Sequence, residues 1–372
     1  DYGSDVAPAP TPAAMQSANT MAAPDAPFDS FRDHLLFLEE RGYMLRFARM
    51  DQDAYEVTAV IYKLIDEYGW RDAPGLIIEE IKIDGEWIKG PLVINHNGHW
   101  DIEPLTFGLE PVPNDGHASY RKTIAHLTKI IQANKGAYPE IPPVTIAKED
   151  ALCKEVILKG DEIDLTKFAF IKSNPADVGR YINTPALFTK DPDMGVNFGT
   201  YRCQLRGPRE IGVNPEPNQT GWKMLMAAKE RGEKEAPVTL VLGTDPMTWL
   251  VSSTRIPQRF GPVKPIDELA VAGGVRGKAL EVIQTEDGEF TIPAHAEFVI
   301  EGRVQLESMK PEGPYGEMYG YLGPEKDENF WMIVDTVTHR KDPWFLNNFT
   351  GVTPGYLEAP EAALTNIGFK RF

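Results

Sequence analysis

The chain has 372 residues, 42% of them hydrophobic, which is enough to bury the cores of two or three packed domains. Its 38 Lys and Arg face 55 Asp and Glu, and the net charge of −17 excludes a sequence-independent grip on nucleic acid or on an anionic membrane surface. Two cysteines, Cys153 and Cys203, form neither a disulfide framework nor a zinc pattern, and no apolar run approaches the roughly 20 residues of a membrane-spanning helix, so a reducing cytoplasm is the expected compartment.

Residues 1–27 are dominated by Ala, Pro, Ser and Thr without apolar periodicity, and they lack the basic start and apolar segment of a secretory signal. They are expected to form a disordered arm. Phe31, Leu35 and Leu38 then recur at helical spacing, with Ser30 and Asp33 placed as a capping pair and Gly42 beyond the last turn, predicting a helix over about 30–41. A second helix is expected after Asp53, carried by Val57, Val60, Ile61, Leu64 and Ile65. The period next shortens, and Asp84-Gly85 between β-prone runs predicts a hairpin. This mixed pattern defines an N-terminal α/β domain over 28–143, closed by the Pro-rich stretch Tyr138–Pro143.

From 144 to 345 the sequence consists mainly of short β-prone runs separated by Gly, Pro and Asp, which predicts a barrel or sandwich. One helix interrupts it, with Trp222, Leu225, Met226 and Lys229 on a single face. The remaining 346–372 reads as a linker or the start of a C-terminal domain that is largely missing.

Three segments could carry chemistry. In PEGPYGEMYGYLG, Glu312 and Glu317 flank Gly313, Pro314 and Gly316, so a tight loop brings two carboxylates together. Neighbouring carboxylates in a partly buried site have their protonation equilibria pushed apart, as proton donation requires; on a surface turn the same pair would simply be solvated. In GVNFGTYRCQLRG, an Asn carbonyl (Asn197) suits a hard cation, Gly199 admits a phosphate close to the backbone, and Arg202 offers a planar fork to a carboxylate. An exposed edge strand is the plainer reading of that stretch. In the third, Ser252 and Ser253 supply hydroxyls, and Glu268, just before an Ala-Gly-Gly turn, could complete an oxygen-rich metal site with Asn197 or simply stand solvated at a helix start.

Taken together, NFGTYR, SSTRIP, DELAVAGG, IPAHAEFVIEG and EGPYGEMYGY resemble the UbiD family of prenylated-FMN-dependent decarboxylases. The similarity runs over about 30–358 and includes DHLLFLEERGYMLRF, GLIIEEIKIDG, GHWDIEPLTFGL and DVGRYINTPALF. It implies an α/β (α+β) protein: the N-terminal mixed α/β domain, then a split β-barrel, flavin-reductase-like cofactor domain over 144–345. The implied activity is reversible, non-oxidative decarboxylation of an aromatic or α,β-unsaturated carboxylic acid through a covalent prenylated-FMN adduct. Arg202 would orient the substrate carboxylate, Glu317 would protonate the carbon that loses CO2, and Glu312 would support both. Cofactor contacts fall on Asn197, Gly199, Thr200, Tyr201, Arg202, Gln219, Thr220, Ser252, Ser253 and Glu268.

The resemblance also implies a divalent metal (Mn2+, Mg2+ or Fe2+) with a nearby K+, a flavin prenyltransferase as cofactor source, and a homo-oligomer (dimer or hexamer) or multi-subunit complex. Asn197 and Glu268 match two of three metal ligands. The third, a His expected near Gln219 or Thr220, is absent, since no histidine occurs between His126 and His295. Two further readings follow from the same residues: a helper or non-catalytic subunit of a multi-subunit aromatic carboxylase, and a flavin reductase on a similar barrel, which would not need the paired glutamates.

Overall fold

A computed structural model describes residues 25–69, 71–254, 256, 266–317 and 321–349. Most of the expected arm (1–24) and most of the expected C-terminal segment (350–372) lie outside the described residues.

The first helix, α1, spans Phe31–Glu40, and the Ser30 hydroxyl accepts the Asp33 N–H at 3.2 Å, satisfying one of the first-turn donors. At its other end Tyr43 N–H returns to the Leu38 carbonyl at 2.9 Å, the long bond of a glycine-terminated helix. Helix α2, Glu56–Tyr68, buries Val57, Thr58 and Ile61. The expected hairpin joins Gly75–Ile83 to Glu86–Ile94 with Asp84 and Gly85 both at positive φ, and the Asp53 carboxylate accepts both turn N–H groups at 2.8 Å. Strand Met44–Asp51 pairs in parallel with Gly75–Ile83. Strand Phe345–Asn347 completes this four-stranded sheet on the far side, returning the chain to the N-terminal region after the larger sheet is built.

Helices α3 (Ile102–Thr106) and α4 (Gly116–Ala133) were not signalled by the sequence. In α4 only Ser119, Thr123, Leu127 and Ile131 are buried, a stripe too polar at its start to announce itself.

The second part holds a ten-stranded antiparallel sheet. Its path runs Tyr181–Ile182, Cys203–Leu205, Glu210–Val213, Lys326–His339, Phe298–Gln305, Glu235–Leu242, Ala186–Asp191, Gly195–Thr200, with Lys310–Glu312 and Val156–Lys159 also paired to Lys326–His339. The path is open at both ends, so among the described residues the barrel does not close. Helix α5 (Thr220–Glu230) packs on this sheet, but it buries Gly221, Met224, Leu225 and Ala228, so of the expected face only Leu225 is fully covered; α6 (Pro246–Ser252) and α7 (Glu268–Arg276) pack on each other. The expected turn at Ala272-Gly273-Gly274 is not formed, because α7 runs straight through it. A Cβ on Gly274 would lie 2.0 Å from the Pro139 carbonyl oxygen, so the glycine serves close packing of the helix on the Pro-rich segment rather than a reversal. Both apolar cores draw residues from either side of residue 143: Ile77, Val93 and Leu127 meet Phe188 and Val241 in one, and Leu76, Ile78 and Leu92 meet Leu187, Leu240 and Phe298 in the other. No helix among the described residues is long and apolar enough to cross a membrane.

Candidate active site

Arg202 sits in the short break between strands Gly195–Thr200 and Cys203–Leu205, where its carbonyl accepts the Asn214 N–H at 3.3 Å. Glu312 ends strand Lys310–Glu312. Glu317 follows Tyr315–Gly316, which pairs with Leu322–Gly323, and its N–H donates to the Tyr321 carbonyl at 2.8 Å. The tight loop therefore brings both carboxylates to one guanidinium. Arg202 Nε donates to Glu312 Oε1 at 2.9 Å, Nη2 to Glu312 Oε2 at 2.8 Å, and Nη1 to Glu317 Oε1 at 2.6 Å. The Tyr315 ring centre lies 4.6 Å from the guanidinium carbon. A Cβ on Gly323 would stand 2.6 Å from Glu317 Oε1, so glycine leaves the room through which Glu317 reaches Arg202.

Two carboxylates converge on one guanidinium in a largely buried place. Glu312 is 1% exposed, whereas the Glu317 side chain retains 26% of its exposure. Burial by itself lowers the Arg202 pKa, but the bonds and charges of Glu312 and Glu317 outweigh it and hold the guanidinium above the ordinary arginine range. Glu312 also accepts the Tyr181 hydroxyl at 2.9 Å; burial first, then Glu312, pushes that phenol well above its ordinary range, so it remains a donor.

Several of the predicted cofactor residues lie beside Arg202, where strand Gly195–Thr200 ends. Thr200 Oγ1 lies 2.8 Å from Ser252 Oγ and 3.2 Å from Ser253 Oγ, while Ser252 donates to the Trp249 carbonyl at 2.7 Å. Tyr201 is buried and its hydroxyl accepts the Gly221 N–H at 3.3 Å; Gly199 is buried beside it. Gln219 precedes α5 and accepts the Glu216 N–H on its side-chain oxygen at 2.5 Å, and Thr220 is the exposed first residue of that helix. Glu268 opens α7 and accepts the Phe198 N–H at 2.9 Å. Glu268 keeps a narrow opening to the surface, yet protein crowds its carboxylate. Burial pushes it up to about 8, only partly offset by the Phe198 N–H.

Three clustered hydroxyls beside a buried glycine form a polar cradle that fits a flavin phosphate. The metal does not fit as well. Asn197 keeps a buried amide nitrogen without a partner and Glu268 lies on the adjoining residue's N–H, but no third ligand joins them, and the described residues contain no group of three His, Cys, Asp or Glu able to hold a metal ion. The sequence reading missed Tyr181 and Tyr315, which have no spacing signature of their own. A separate cleft of about 520 Å3, lined in part by Pro27, Phe107, His126, Met247 and Arg276, reaches the far end of α7 and includes none of these residues.

A family model described as the 3-octaprenyl-4-hydroxybenzoate carboxy-lyase Rift-related domain matches residues 144–353, more than half of the chain. The chain belongs to the UbiD family. It is 34% identical over 199 residues to an uncharacterized protein of Aeropyrum pernix, an alignment covering 53% of this chain and 39% of that protein. Its fold is similar to the closed form of the vanillic acid decarboxylase of Sedimentibacter hydroxybenzoicus, with a TM-score of 0.78 at 23% identity over 92% of this chain and 69% of that one. It is also similar to an evolved dimeric form of the UbiD-class enzyme HmfF from Pelotomaculum thermopropionicum in complex with prFMN, at TM-score 0.74 and 24% identity over 91% and 71%. The chain spans between 39% and 63% of the length of the curated relatives it matches.

Proposed function

We propose that the chain carries the chemical centre of a carboxy-lyase acting on an aromatic or α,β-unsaturated acid, with prenylated FMN as cofactor. The single observation behind this reading is the convergence of Glu312 and Glu317 on the Arg202 guanidinium in a largely buried site. Family membership and the fold shared with decarboxylases support it. When bound, prenylated FMN supplies an electron sink for the bond that breaks to CO2. The protein's task is then to bind, orient and deliver one proton.

Arg202 has the planar fork for a carboxylate, and Nη1, now on Glu317, is the arm that a substrate carboxylate would take over. Glu312 holds the other two donors and keeps the fork in place. Glu317, freed from Nη1, delivers a proton to the carbon that has lost CO2. Glycine and hydroxyl groups at Gly199, Thr200, Ser252 and Ser253, with Asn197, Tyr201, Gln219 and Thr220 around them, would hold the flavin and its phosphate. No step is assigned to a metal or K+, because among the described residues no third ligand joins Asn197 and Glu268. We read 28–143 and 144–345 as the two units of this protein, a cytoplasmic setting as its compartment, a flavin prenyltransferase as its cofactor source, and a homo-oligomer or multi-subunit complex as its working form.

The test is reconstitution of the chain with prenylated FMN and assay against a panel of carboxylic acids, following CO2 release and uptake of labelled bicarbonate. Turnover that Glu317→Gln abolishes while the flavin spectrum persists supports the reading; unchanged turnover in that variant refutes the role of Glu317. The incomplete ligand set at Asn197 and Glu268 favours one alternative, a helper subunit, which a chain unable to bind flavin in its absorbance spectrum would establish.

A further inference from the structure

Resting on the reading above, we propose that Tyr181 is a positioning residue, which fixes the Glu312 carboxylate and through it the direction in which Arg202 presents Nη1, the arm now on Glu317.

The geometry sets Tyr181 against both parts of the cluster. Its hydroxyl donates to Glu312 Oε1 at 2.9 Å, the same oxygen that accepts Arg202 Nε at 2.9 Å, while Oε2 takes Nη2 at 2.8 Å. Its ring lies 4.4 Å from the Tyr315 ring, centre to centre, and Tyr315 is the ring beneath the guanidinium. Two of the three nitrogens of the fork are thus committed to a carboxylate whose own rotation Tyr181 blocks, and only Nη1 is directed toward Glu317. A carboxylate bound by the fork alone could swing about its side-chain torsions and carry the guanidinium with it.

Tyr181 is itself held firmly. Its N–H donates to the Ile171 carbonyl at 3.1 Å, and Tyr181–Ile182 pairs with Gln204 and Cys203, the residues that directly follow Arg202. At 1% exposure the ring has no opening to solvent. It therefore reaches the reacting atoms only through Glu312 and Arg202. Neighbouring bonds brace the same segment against the carboxylate loop: Asp177 accepts the Gly316 N–H at 2.8 Å, and Val178 N–H donates to the Pro314 carbonyl at 2.8 Å. The segment 177–183 thus positions the loop through the Asp177 carboxylate and the Val178 N–H, and the Glu312 carboxylate through Tyr181.

The experiment uses the full chain in three forms: wild type, Tyr181→Phe, and a variant with 3-fluorotyrosine installed at position 181, which keeps the shape and strengthens the donor. Two readouts are taken. The first is the Arg202 Nε–H resonance in isotope-labelled protein, assigned by its loss in Arg202→Lys. The second is turnover of the reconstituted enzyme as a function of pH. Tyr181→Phe is expected to broaden or shift that resonance and to lower kcat by about tenfold with KM changed far less, the size expected for one lost bond to a charged group. The pH profile is expected to change in both variants, in opposite senses for the lost donor and the strengthened one. An unchanged resonance with an unchanged profile in both variants overturns the proposal. If Tyr181→Phe fails to fold, the fluorinated protein decides alone. If wild type turns over no acid but its Arg202 resonance responds to both substitutions, the decarboxylase reading fails while the positioning of Arg202 by Tyr181 stands.

Discussion

Two buried polar regions of this molecule solve opposite problems. Around Arg202 every strong group is matched: the guanidinium meets Glu312, Glu317 and the Tyr315 ring, and Glu312 meets Tyr181. Near α1 and α3, by contrast, His34 Nδ1, His96 Nδ1 and both carboxylate oxygens of Glu103 are buried without a hydrogen-bond partner among the described residues. The His34 and His96 rings lie 6.5 Å apart, and Thr106, on the helix that carries Glu103, meets His34 Nε2 at 3.4 Å. A buried charge survives only when paired, so the first region can stay ionised and the second must stay neutral. The difference separates a place built to handle charge from a place that merely tolerates titratable side chains.

The harshest test of that contrast is Arg202→Ala. It leaves two carboxylates facing each other with no cation, and a broken buried pair costs about 3–5 kcal/mol. Chemical denaturation is expected to show a loss of that order, and turnover is expected to fall at least a thousandfold. A variant that keeps wild-type stability would mean that the cluster is better hydrated than its burial indicates. Glu317→Gln should be gentler on the fold, since Glu317 remains partly exposed and makes one bond to Arg202. Its effect belongs to the proton: turnover should drop by about a hundred- to ten-thousandfold with the melting temperature nearly unchanged.

Much of this was legible in the sequence, for identifiable reasons. Helix α1, the Asp84-Gly85 hairpin and the short strands of the second part follow from periodicity and turn residues that tertiary contacts did not override. Arg202, Glu312 and Glu317 were singled out through the family resemblance, because by composition alone the Gly- and Pro-rich loop reads equally well as a surface turn with two solvated glutamates. Tyr181 was not, because a tyrosine in a β-prone run looks the same whether it packs or positions a carboxylate. The turn expected at Gly273-Gly274 failed because close approach to Pro139 and a chain reversal both call for glycine. Helix α4 was hidden by its polar start, and the burial of His34, His96 and Glu103 depends on packing between segments far apart in the chain.

The neutral region gives the smaller effects, and pH exposes them. Burial lowers His34 from its ordinary 6.5 to about 3, and His96 moves in the same direction for the same reason. The unfolded chain therefore binds these protons more readily than the folded one. The stability that the neutral rings contribute is complete above about pH 6.5 and is lost as pH falls toward 3, by about 1.4 kcal/mol per unit for each ring that stays neutral. A melting series from pH 7 down to 4 in His34→Phe should show a shallower acid decline than wild type; an equal decline would place His34 in contact with solvent.

Glu103 has the opposite sign. Burial raises its carboxyl well above 4.5, so the folded form keeps the proton while the unfolded form releases it, and stability falls as pH rises beyond 4.5. Glu103→Gln has the shape of the protonated acid and nothing to titrate. Relative to wild type it should gain about 1 kcal/mol or more at pH 8 and little at pH 5, measured by denaturant midpoints at the two values. A loss at pH 8 would mean that Glu103 is ionised and paired, and the contrast with the Arg202 region would then be one of partners rather than of charge.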